Sequence, residues 1–532
     1  MSLFSFPKIP HQTAGPASDS ARGSALWVVL VLSVLFTALG LGLLHFTRIS
    51  LKASGFRKNF LLAGIAAENG AKKAVSAFLA GLRTGPGLSE LSEPEYEALA
   101  ADFTAGRPVA PERLTGLVFP SVFRETWNNL HWESRIACHV TRSEDRGGFI
   151  LALHEALFEG RGGTGDTRTK RTSRVTAELA VRAGRIPLSD LPFFLNRPPG
   201  GTGGEDPLER LHVTVLPPAS GPARAFFLET GEPVIPSFPA ALLESVFKAR
   251  IFRPQDLSPA FLRPFLGLES SPEPIPDGVY LIRDDLGLGG VFVQGDLESM
   301  ILAVDGEDQL IAFRSDDSEW RLRFEPVAGK TTFSGPAGED VFDLVPRGMI
   351  ICNGKIGGLS GGCLDASGGL VPALDATVPA VRSGLHLTIV ASDEIRLSGH
   401  LTLSGVEIRD GLPYYKEPPG RLVIYAAGQD FLSGEDRTGG IVLDAEPSET
   451  VHIHASLAAG GAGFTIRGQD QKLEIFGGLQ AADLASGSGA VKIVPDERPD
   501  EPGGDAEAWP RSAVPLLSLS RFRILLWEDL AP

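Results

Sequence analysis

Four histidines in the last third of the chain are the residues that first suggest metal chemistry: His386, His400, His452 and His454. His452 and His454 are two positions apart, so on a β-strand they share one face. Two such imidazoles can hold a zinc ion when a third side chain completes the ligand set. Nothing in the sequence fixes that third ligand, and solvated strand histidines are the expected arrangement. We therefore assign no metal and no cofactor.

Two pairs of adjacent carboxylates, Asp393-Glu394 and Glu435-Asp436, are the candidates for acid–base chemistry. Hydrolysis of a glycoside needs two carboxyl groups about 5 to 9.5 Å apart across the sugar. Neighbouring residues on turns do not establish that spacing, so no catalytic residue is assigned. Exposed aromatic rings beside clustered carboxylates in one groove would favour the enzymatic alternative, polysaccharide cleavage, and a flat face would favour a structural role.

The chain has three cysteines, too few for a scaffold built on disulfides. Cys352 and Cys363 either pair in an oxidising compartment or remain two unpaired core residues, and the sequence leaves both open. Cys138 lies in an alternating segment and is expected to pack in a core. No GxxxxGK[ST] loop occurs, which excludes a P-loop ATPase.

Composition bounds the remaining classes. The 532 residues carry a formal net charge of −16, which argues against a nucleic-acid partner because phosphate binding needs clustered Lys and Arg. Hydrophobic residues make up 43%, enough for real cores, and the length leaves room for about two to four domains.

The elements that must position these residues begin with a membrane segment. Residues 25–46 contain no Asp, Glu, Lys or Arg, and as a helix they would span about 33 Å, enough to cross a hydrocarbon core of roughly 30 Å. Residues 1–24 precede this span, and the span alone does not fix the side of the membrane on which they lie. The cations that follow the span, set against Lys8 and Arg22 before it, slightly favour an outside N-terminus, but long domains cross regardless of charge.

The helical pattern continues beyond the span through residues 47–84. Gly64, Glu68, Ala71 and Val75 recur at steps of four and three, and no proline occurs between Pro16 and Pro86. The sequence predicts one helix of about 60 residues. The alternative is two helices hinged near Gly55.

This region resembles the N-terminal part of PilX-type minor pilins, within the type IV pilus and type II secretion pseudopilin group. The residues that carry the resemblance are Arg22-Gly23-Ser24, the apolar run that follows, and the AAENGAKKA tract at 66–74. The resemblance implies a cytoplasmic N-terminus, a C-terminal part outside the inner membrane, and leader-peptidase cleavage between Gly23 and Ser24. Most pilins carry Glu at the fifth mature position, where this chain has Val28.

Residues 85–198 show period-two alternation, as at Ile136 to Val140 and at Val175 to Val181, which predicts an antiparallel meander packed on the helix. Residues 199–276 read as a connector with short helices. One is expected at 237–250, capped by Ser237 and burying Leu242, Leu243, Val246 and Phe247, and a second from Ser258.

Residues 277–532 contain short apolar strands separated by small-residue corners. A lone short strand cannot bury its apolar face, whereas stacked coils build one continuous core, so we expect a parallel β-helix, or solenoid. The alternative is a β-sandwich. Phrases such as LTIVASDEIRLSG and LVIYAAGQDF resemble an uncharacterised family of bacterial proteins with a pilin-like N-terminus. The final SLSRFRILLWEDL is expected to return as a closing strand.

The expected fold class is therefore α+β followed by mostly β. The expected function is that of a non-catalytic, minor-pilin-like structural or interaction protein, single-pass in a bacterial inner membrane, with its large domains periplasmic or extracellular. Its expected partners are the lipid bilayer, pilus or pseudopilus subunits along the helix, and a glycan or surface protein on the solenoid. The alternatives are a polysaccharide-active enzyme and an adhesin on the same scaffold.

Overall fold

The structure is a computed structural model. It describes residues 21–84, 88–90, 92–105, 122–127, 130–138, 141–145, 148–164, 170–185, 188, 191, 193–195, 213–215, 225–227, 234–251, 253–284, 287–316, 318–343, 348–409, 412–416, 420–444, 450–467, 470–485, 489–496 and 511–530.

One helix dominates the N-terminal part of the chain. α1 (Ala21–Thr84) runs for 64 residues without interruption, which confirms the single long helix and excludes a hinge at Gly55. A helix of this length spans about 96 Å. Gly85 and Pro86 follow it in the sequence, a pair that cannot continue a helix. A second helix is shorter, α2 (Glu93–Thr104).

The first sheet is antiparallel and packs against the outer half of α1. Its strands are β1 (Leu88–Glu90), β2 (Val122–Trp127), β3 (Leu130–Cys138), β4 (Thr141–Asp145), β5 (Gly148–Thr164), β6 (Lys170–Gly184) and, from the end of the chain, β32 (Leu516–Leu530). The spatial order is β1-β32-β6-β5-β3-β2, with β4 beside β5. α1 contacts β5, β6 and β3.

Three short strands and two short helices come next. They are β7 (Phe193–Leu195), β8 (Val213–Val215), β9 (Ala225–Phe227), α3 (Ala240–Phe247) and α4 (Pro259–Phe265), with a 3-10 turn at Pro254–Leu257. α3 buries the four apolar residues predicted for it, but it begins after Pro239, without a side-chain cap from Ser237.

The rest of the chain is almost entirely β-structure in mixed sheets. The strands are β10 (Gly278–Asp284), β11 (Gly287–Gln294), β12 (Ser299–Asp305), β13 (Asp308–Ser315), β14 (Ser318–Glu325), β15 (Lys330–Gly335), β16 (Gly338–Phe342), β17 (Met349–Asn353), β18 (Ile356–Leu364), β19 (Leu370–Pro372), β20 (His386–Ala391), β21 (Ile395–Leu397), β22 (Val406–Arg409), β23 (Leu412–Tyr415), β24 (Arg421–Ala426), β25 (Gly440–Leu443), β26 (Thr450–Ile453), β27 (Ser456–Ala459), β28 (Gly463–Ile466), β29 (Gln471–Ala481), β30 (Leu484–Ala485) and β31 (Gly489–Pro495).

Most of these strands pair in parallel, in three ladders. The first ladder is β11-β17-β20-β24-β27-β29-β7, the second is β12-β18-β21-β25-β28-β30, and the third is β26-β29-β31-β8. β29 is long enough to belong to two of them.

The register stacks apolar residues of like size. In the first ladder the column is Val291, Ile350, Ile389, Ile424, Leu457, Leu479 and Phe193. In the second it is Ile356, Ile395, Ile441, Phe464 and Leu484. In the third it is Val451, Leu473, Val491 and Val213. These columns meet in one buried cluster, because each strand contributes its alternate residues to the same interior.

The outer face of the first ladder is also buried. A second apolar cluster joins Ile351, Val390 and Tyr425 of that face to Leu243 and Phe247 of α3. Strands covered on both sides read as continuous apolar runs, which is why β17 is buried throughout.

An antiparallel arm interrupts the parallel pairing and was not foreseen in the sequence. β12, β13, β14, β15 and β16 follow one another as hairpins on the edge of the second ladder. β12 and β13 are buried along most of their length, as parallel strands covered on both sides are, so their apolar runs did not reveal that they pair as a hairpin.

Two pairings cross the boundaries expected from the sequence. β7, β8 and β9, from the expected connector, join the end of the parallel ladders. The terminal strand β32 pairs along β6, so it closes the first sheet and not the second region. The domain boundaries themselves remain predictions.

Candidate functional sites

The most extensive unusual surface is the first half of α1. Its large apolar side chains face outward, with Trp27 70% and Phe46 70% exposed. Among the described residues, α1 is the helix that is long and apolar enough to cross a membrane. Its apolar segment has a mean hydropathy of 2.5, and none of that segment is buried. Exposing an apolar surface of this length to water is unfavourable. This half of α1 therefore requires an apolar environment around it.

The second half of α1 has a different chemistry. Apart from Val75, its buried residues are small: Ala63, Ala66, Ala67, Gly70, Ala71 and Ala74. Small side chains let the helix backbone approach the first sheet closely. Arg171 of β6 reaches the same helix, with its guanidinium carbon 4.3 Å from the centroid of the Phe60 ring. The helix is thus held by the sheet through an alanine-rich face.

The expected cleavage position lies at the start of this helix. Gly23 and Ser24 fall within the first turn of α1, directly before the exposed apolar segment. Val28 is 57% exposed on the same helix.

A groove of about 880 Å³ opens at the corner between the first and second ladders. Successive turns, 295–298, 353–357 and 393–396, supply about half of its wall, and β14 of the antiparallel arm supplies Trp320. Its charged residues are Asp277, Asp296, Glu298, Asp316, Lys355, Asp393, Arg396, Asp430 and Arg437. Carboxylates outnumber cations, so the groove favours a cationic or hydroxyl-rich ligand over an anionic one.

Asp430 organises one wall of the groove. Its carboxylate accepts hydrogen bonds from the backbone N–H groups of Leu432 at 3.0 Å and Ser433 at 2.9 Å, and from the Arg437 guanidinium at 3.0 Å. Burial alone would raise the pKa of Asp430, but these donors outweigh burial, so its pKa lies below the usual range. Asp430 is therefore ionised at neutral pH and is unsuited to be a general acid.

Asn353 connects this loop to the strand corner. Its buried side-chain oxygen accepts the backbone N–H of Phe431 at 2.9 Å, and its amide donates to Gln294 at 3.3 Å. In the same turn as Asn353, the Lys355 ammonium lies 3.3 Å from Asp296, with both side chains more than half exposed. That exposed pair contributes little to stability.

Of the two predicted carboxylate pairs, only Asp393 lines the groove. Asp393 lines the groove and accepts the backbone N–H of Thr438 at 3.1 Å, while Glu394 binds Arg396 at 2.6 Å. Glu435 lies 4.0 Å from Arg437 on the far side of the loop, and Asp436 is not part of the groove wall.

The histidines are placed differently from the expectation of solvated strand residues. His400 is 8% and His454 is 6% exposed. Each accepts a backbone N–H at Nδ1, His400 from His452 at 3.1 Å and His454 from Leu403 at 3.2 Å. That expectation was wrong for these two because segments 400–403 and 452–454 pack against each other and cover both rings. His386 is exposed.

His452 and His454 therefore do not act as a pair on one face. The ring of His452 lies 5.7 Å from that of His400, and its Nδ1 lies 3.3 Å from the Glu474 carboxylate. Within the part of the chain that the structure describes, no group of three or more His, Cys, Asp or Glu side chains could hold a metal ion.

Cys352 and Cys363 are free thiols on β17 and β18. Cys352 is buried, and burial raises the pKa of its thiol far above the usual range. The side chain of Cys138 lies outside the described residues, so its expected core position stays a prediction.

Comparisons with protein-family models, with curated proteins and with solved structures give no match for this chain.

Sequence reasoning did not identify Trp320, Asp430 or Arg437 as groove residues. Asp430 stands before a Phe-Leu-Ser-Gly turn, and an Asp that binds the backbone two and three residues later is a recognisable turn signal. Trp320 gives no such signal, because the arm that carries it was assigned to the parallel stack.

Proposed function

We propose that this chain is a membrane-anchored, minor-pilin-like structural protein that carries a parallel β-helix. The observation that carries the proposal is the continuity of α1. One unbroken helix joins an exposed apolar segment of membrane length to a small-residue face that packs on an antiparallel sheet. A rod of this kind fixes the large β-region relative to the bilayer, which a flexible linker would not do.

The three parallel ladders support the β-helix. Following the chain, each strand added to the first ladder is followed by one added to the second. Apolar residues stack on apolar residues at each step. This is the arrangement expected when each coil buries its neighbour's apolar face. A Cβ atom added at Gly461 would lie only 2.1 Å from the Thr438 carbonyl oxygen of the preceding coil. Such a short distance is expected where two coils stack closely.

The helix and first sheet support the pilin-like part. A long helix whose outer half is covered by an antiparallel meander agrees with the resemblance carried by Arg22-Gly23-Ser24 and the AAENGAKKA tract. In this proposal the exposed apolar segment lies in the inner membrane of a bacterium and contacts the helices of pilus or pseudopilus subunits. The β-region lies in the periplasm or beyond, and the protein performs no catalysis.

N-terminal sequencing of the protein purified from native membranes tests the pilin-type pathway. We expect the mature chain to begin at Ser24, and a Gly23→Arg variant to retain its leader. The matched control Gly40→Arg would disturb the span but leave the cleavage position intact. A wild-type chain that begins at Met1 would contradict pilin-type processing and leave a plain single-pass anchor.

The groove favours a second candidate, a β-helix that binds or cleaves a polysaccharide. The observation in its favour is Trp320 beside Asp296, Asp316 and Asp393 in one depression, because aromatic rings and carboxylates together suit a sugar. Asp430 is ionised and cannot protonate a leaving group, so cleavage would need another carboxyl group of the groove as the proton donor. Incubation of the full chain with a panel of bacterial and host polysaccharides decides between the candidates. Saturable binding lost in Trp320→Ala, or reducing ends released, would support the second candidate; no binding to any glycan would exclude it in favour of the structural role.

A further inference from the structure

The segment of α1 that follows the apolar span carries several positive charges. Arg48, Lys52, Arg57 and Lys58, which we call the exit segment, all have exposed side chains. No Asp or Glu occurs from residue 20 to residue 67, although the chain holds 65 acidic residues and has a net charge of −16. The cations therefore stand apart from the acidic remainder of the protein.

Helix geometry places these cations at different heights above the hydrocarbon. If the apolar core ends at Phe46, a rise of 1.5 Å per residue puts Arg48 about 3 Å and Lys52 about 9 Å beyond it. The headgroup layer is roughly 5 to 7 Å thick. Both side chains are long enough to reach phosphate oxygens while their methylene stems follow the helix.

The other two cations lie farther out. Arg57 and Lys58 are about 16 to 18 Å beyond the hydrocarbon by the same rise, so about 10 Å separates them from the outer edge of the headgroups. Their side chains reach back along the helix but stop short of the headgroups. Salt and distance therefore weaken their attraction to the surface, whereas Arg48 and Lys52 can contact the headgroups directly.

The membrane-facing end of the first sheet carries charges of both signs beyond the exit segment. Arg171 stacks on Phe60 and the exposed Lys170 precedes it in β6, while the acidic residues Glu528 and Asp529 of β32 are register partners of Arg174 and Ser173 on β6. The first acidic residue along α1, Glu68, is already paired with Lys72 at 2.6 Å.

We propose that Arg48 and Lys52 bind the headgroups of anionic phospholipids and so form an electrostatic collar around the anchor. The proposal rests on the membrane anchor of the proposed function and adds the class of lipid. Its partner is a negatively charged bilayer surface, which otherwise repels a protein of net charge −16.

Spin-labelled lipids test the collar on the full chain reconstituted in phosphatidylcholine vesicles. The measurement is the fraction of spin-labelled phosphatidylglycerol, against spin-labelled phosphatidylcholine, whose motion the protein restricts. We expect phosphatidylglycerol to be preferred about threefold or more at low salt, and the preference to fall in 1 M salt, where the Debye length is about 3 Å.

Two double variants separate the inner pair from the outer pair. In Arg48→Gln/Lys52→Gln we expect the preference to fall to about onefold, while Arg57→Gln/Lys58→Gln retains most of it. Equal restriction of both lipids by the wild type would overturn the collar and leave the anchor intact. Equal losses in the two double variants would overturn the assignment to the inner pair. If neither lipid is restricted, the anchor itself fails, and the collar fails with it.

Discussion

The substitution Leu457→Ala removes a side chain from the middle of the interior column of the first ladder. Leu457 is fully buried, and its register partners are Ile424 below and Leu479 above. A buried leucine that is truncated where its neighbours cannot collapse costs about 3 kcal/mol, because apolar burial is lost and a cavity remains. Neighbouring strands on both sides restrict collapse here, so we expect that value.

Native-state hydrogen exchange measures this cost where it arises. For amides of β24, β27 and β29 that exchange through opening of the stack, about 3 kcal/mol corresponds to roughly a hundredfold faster exchange. Exchange in the antiparallel first sheet should change far less, because its strands do not pack on this column.

The matched control is Leu374→Ala. Leu374 is 89% exposed, so its truncation should change stability by less than about 0.5 kcal/mol. If Leu457→Ala and Leu374→Ala accelerate exchange of β24, β27 and β29 equally, the stacked interior is refuted, and with it the support for a parallel β-helix.

Three further substitutions probe other contacts. Gly461→Ala should destabilise the second region by about 2 kcal/mol in urea unfolding, because the added methyl meets the Thr438 carbonyl oxygen at 2.1 Å. Ala71→Leu should lower the thermal stability of the full chain by about 2 kcal/mol, because the small face of α1 cannot admit a larger side chain against the first sheet. Asp430→Asn should cost about 1 kcal/mol at pH 7. Since folding lowers the pKa of Asp430, its stabilising contribution is complete above the unfolded carboxyl's pKa of about 3.9 and is lost as pH falls through the lower folded value, so wild type and variant should converge in acid.

Each of these substitutions has a control. Gly440→Ala meets its nearest atoms at 3.4 Å, an ordinary contact, and should be tolerated. Ser76→Leu places the same leucine on an exposed position of α1 and should be neutral. For Asp430→Asn the control is the pH series itself, and a stability difference that stays constant from pH 7 to pH 3 would show that the lowered pKa does not stabilise the fold.

Local patterns were sufficient for α1 but not for every helix, since α2 (Glu93–Thr104) lies in residues 85–198, which were assigned to the β-meander. The absence of proline between Pro16 and Pro86 and the apolar run were enough to predict one continuous α1. The predicted stripe included Ala71 and Val75, both buried, but it also placed Glu68 on the buried face, where the structure has Ala67. The sheet that packs against a helix determines which of the helix residues are buried. That contact involves residues that are distant in sequence.

Pairing between strands that are distant along the chain could not be predicted from the sequence. β32 completes a sheet whose other strands precede it by more than three hundred residues, and β7 to β9 are three residues long, too short to show a period. The groove depends on the same information. Trp320 reaches the turns that carry Asp296 and Asp393 only because the antiparallel arm folds back along the second ladder.

The most direct test of the proposed anchor and topology is the side of the membrane on which the β-region lies. Protease is added to intact spheroplasts, and the C-terminal region is followed with an antibody, with a cytoplasmic protein as the control for lysis. We expect the β-region to be digested while the cytoplasmic control survives. A β-region that resists protease until the spheroplasts are lysed, and is then digested together with the control, would contradict the proposal.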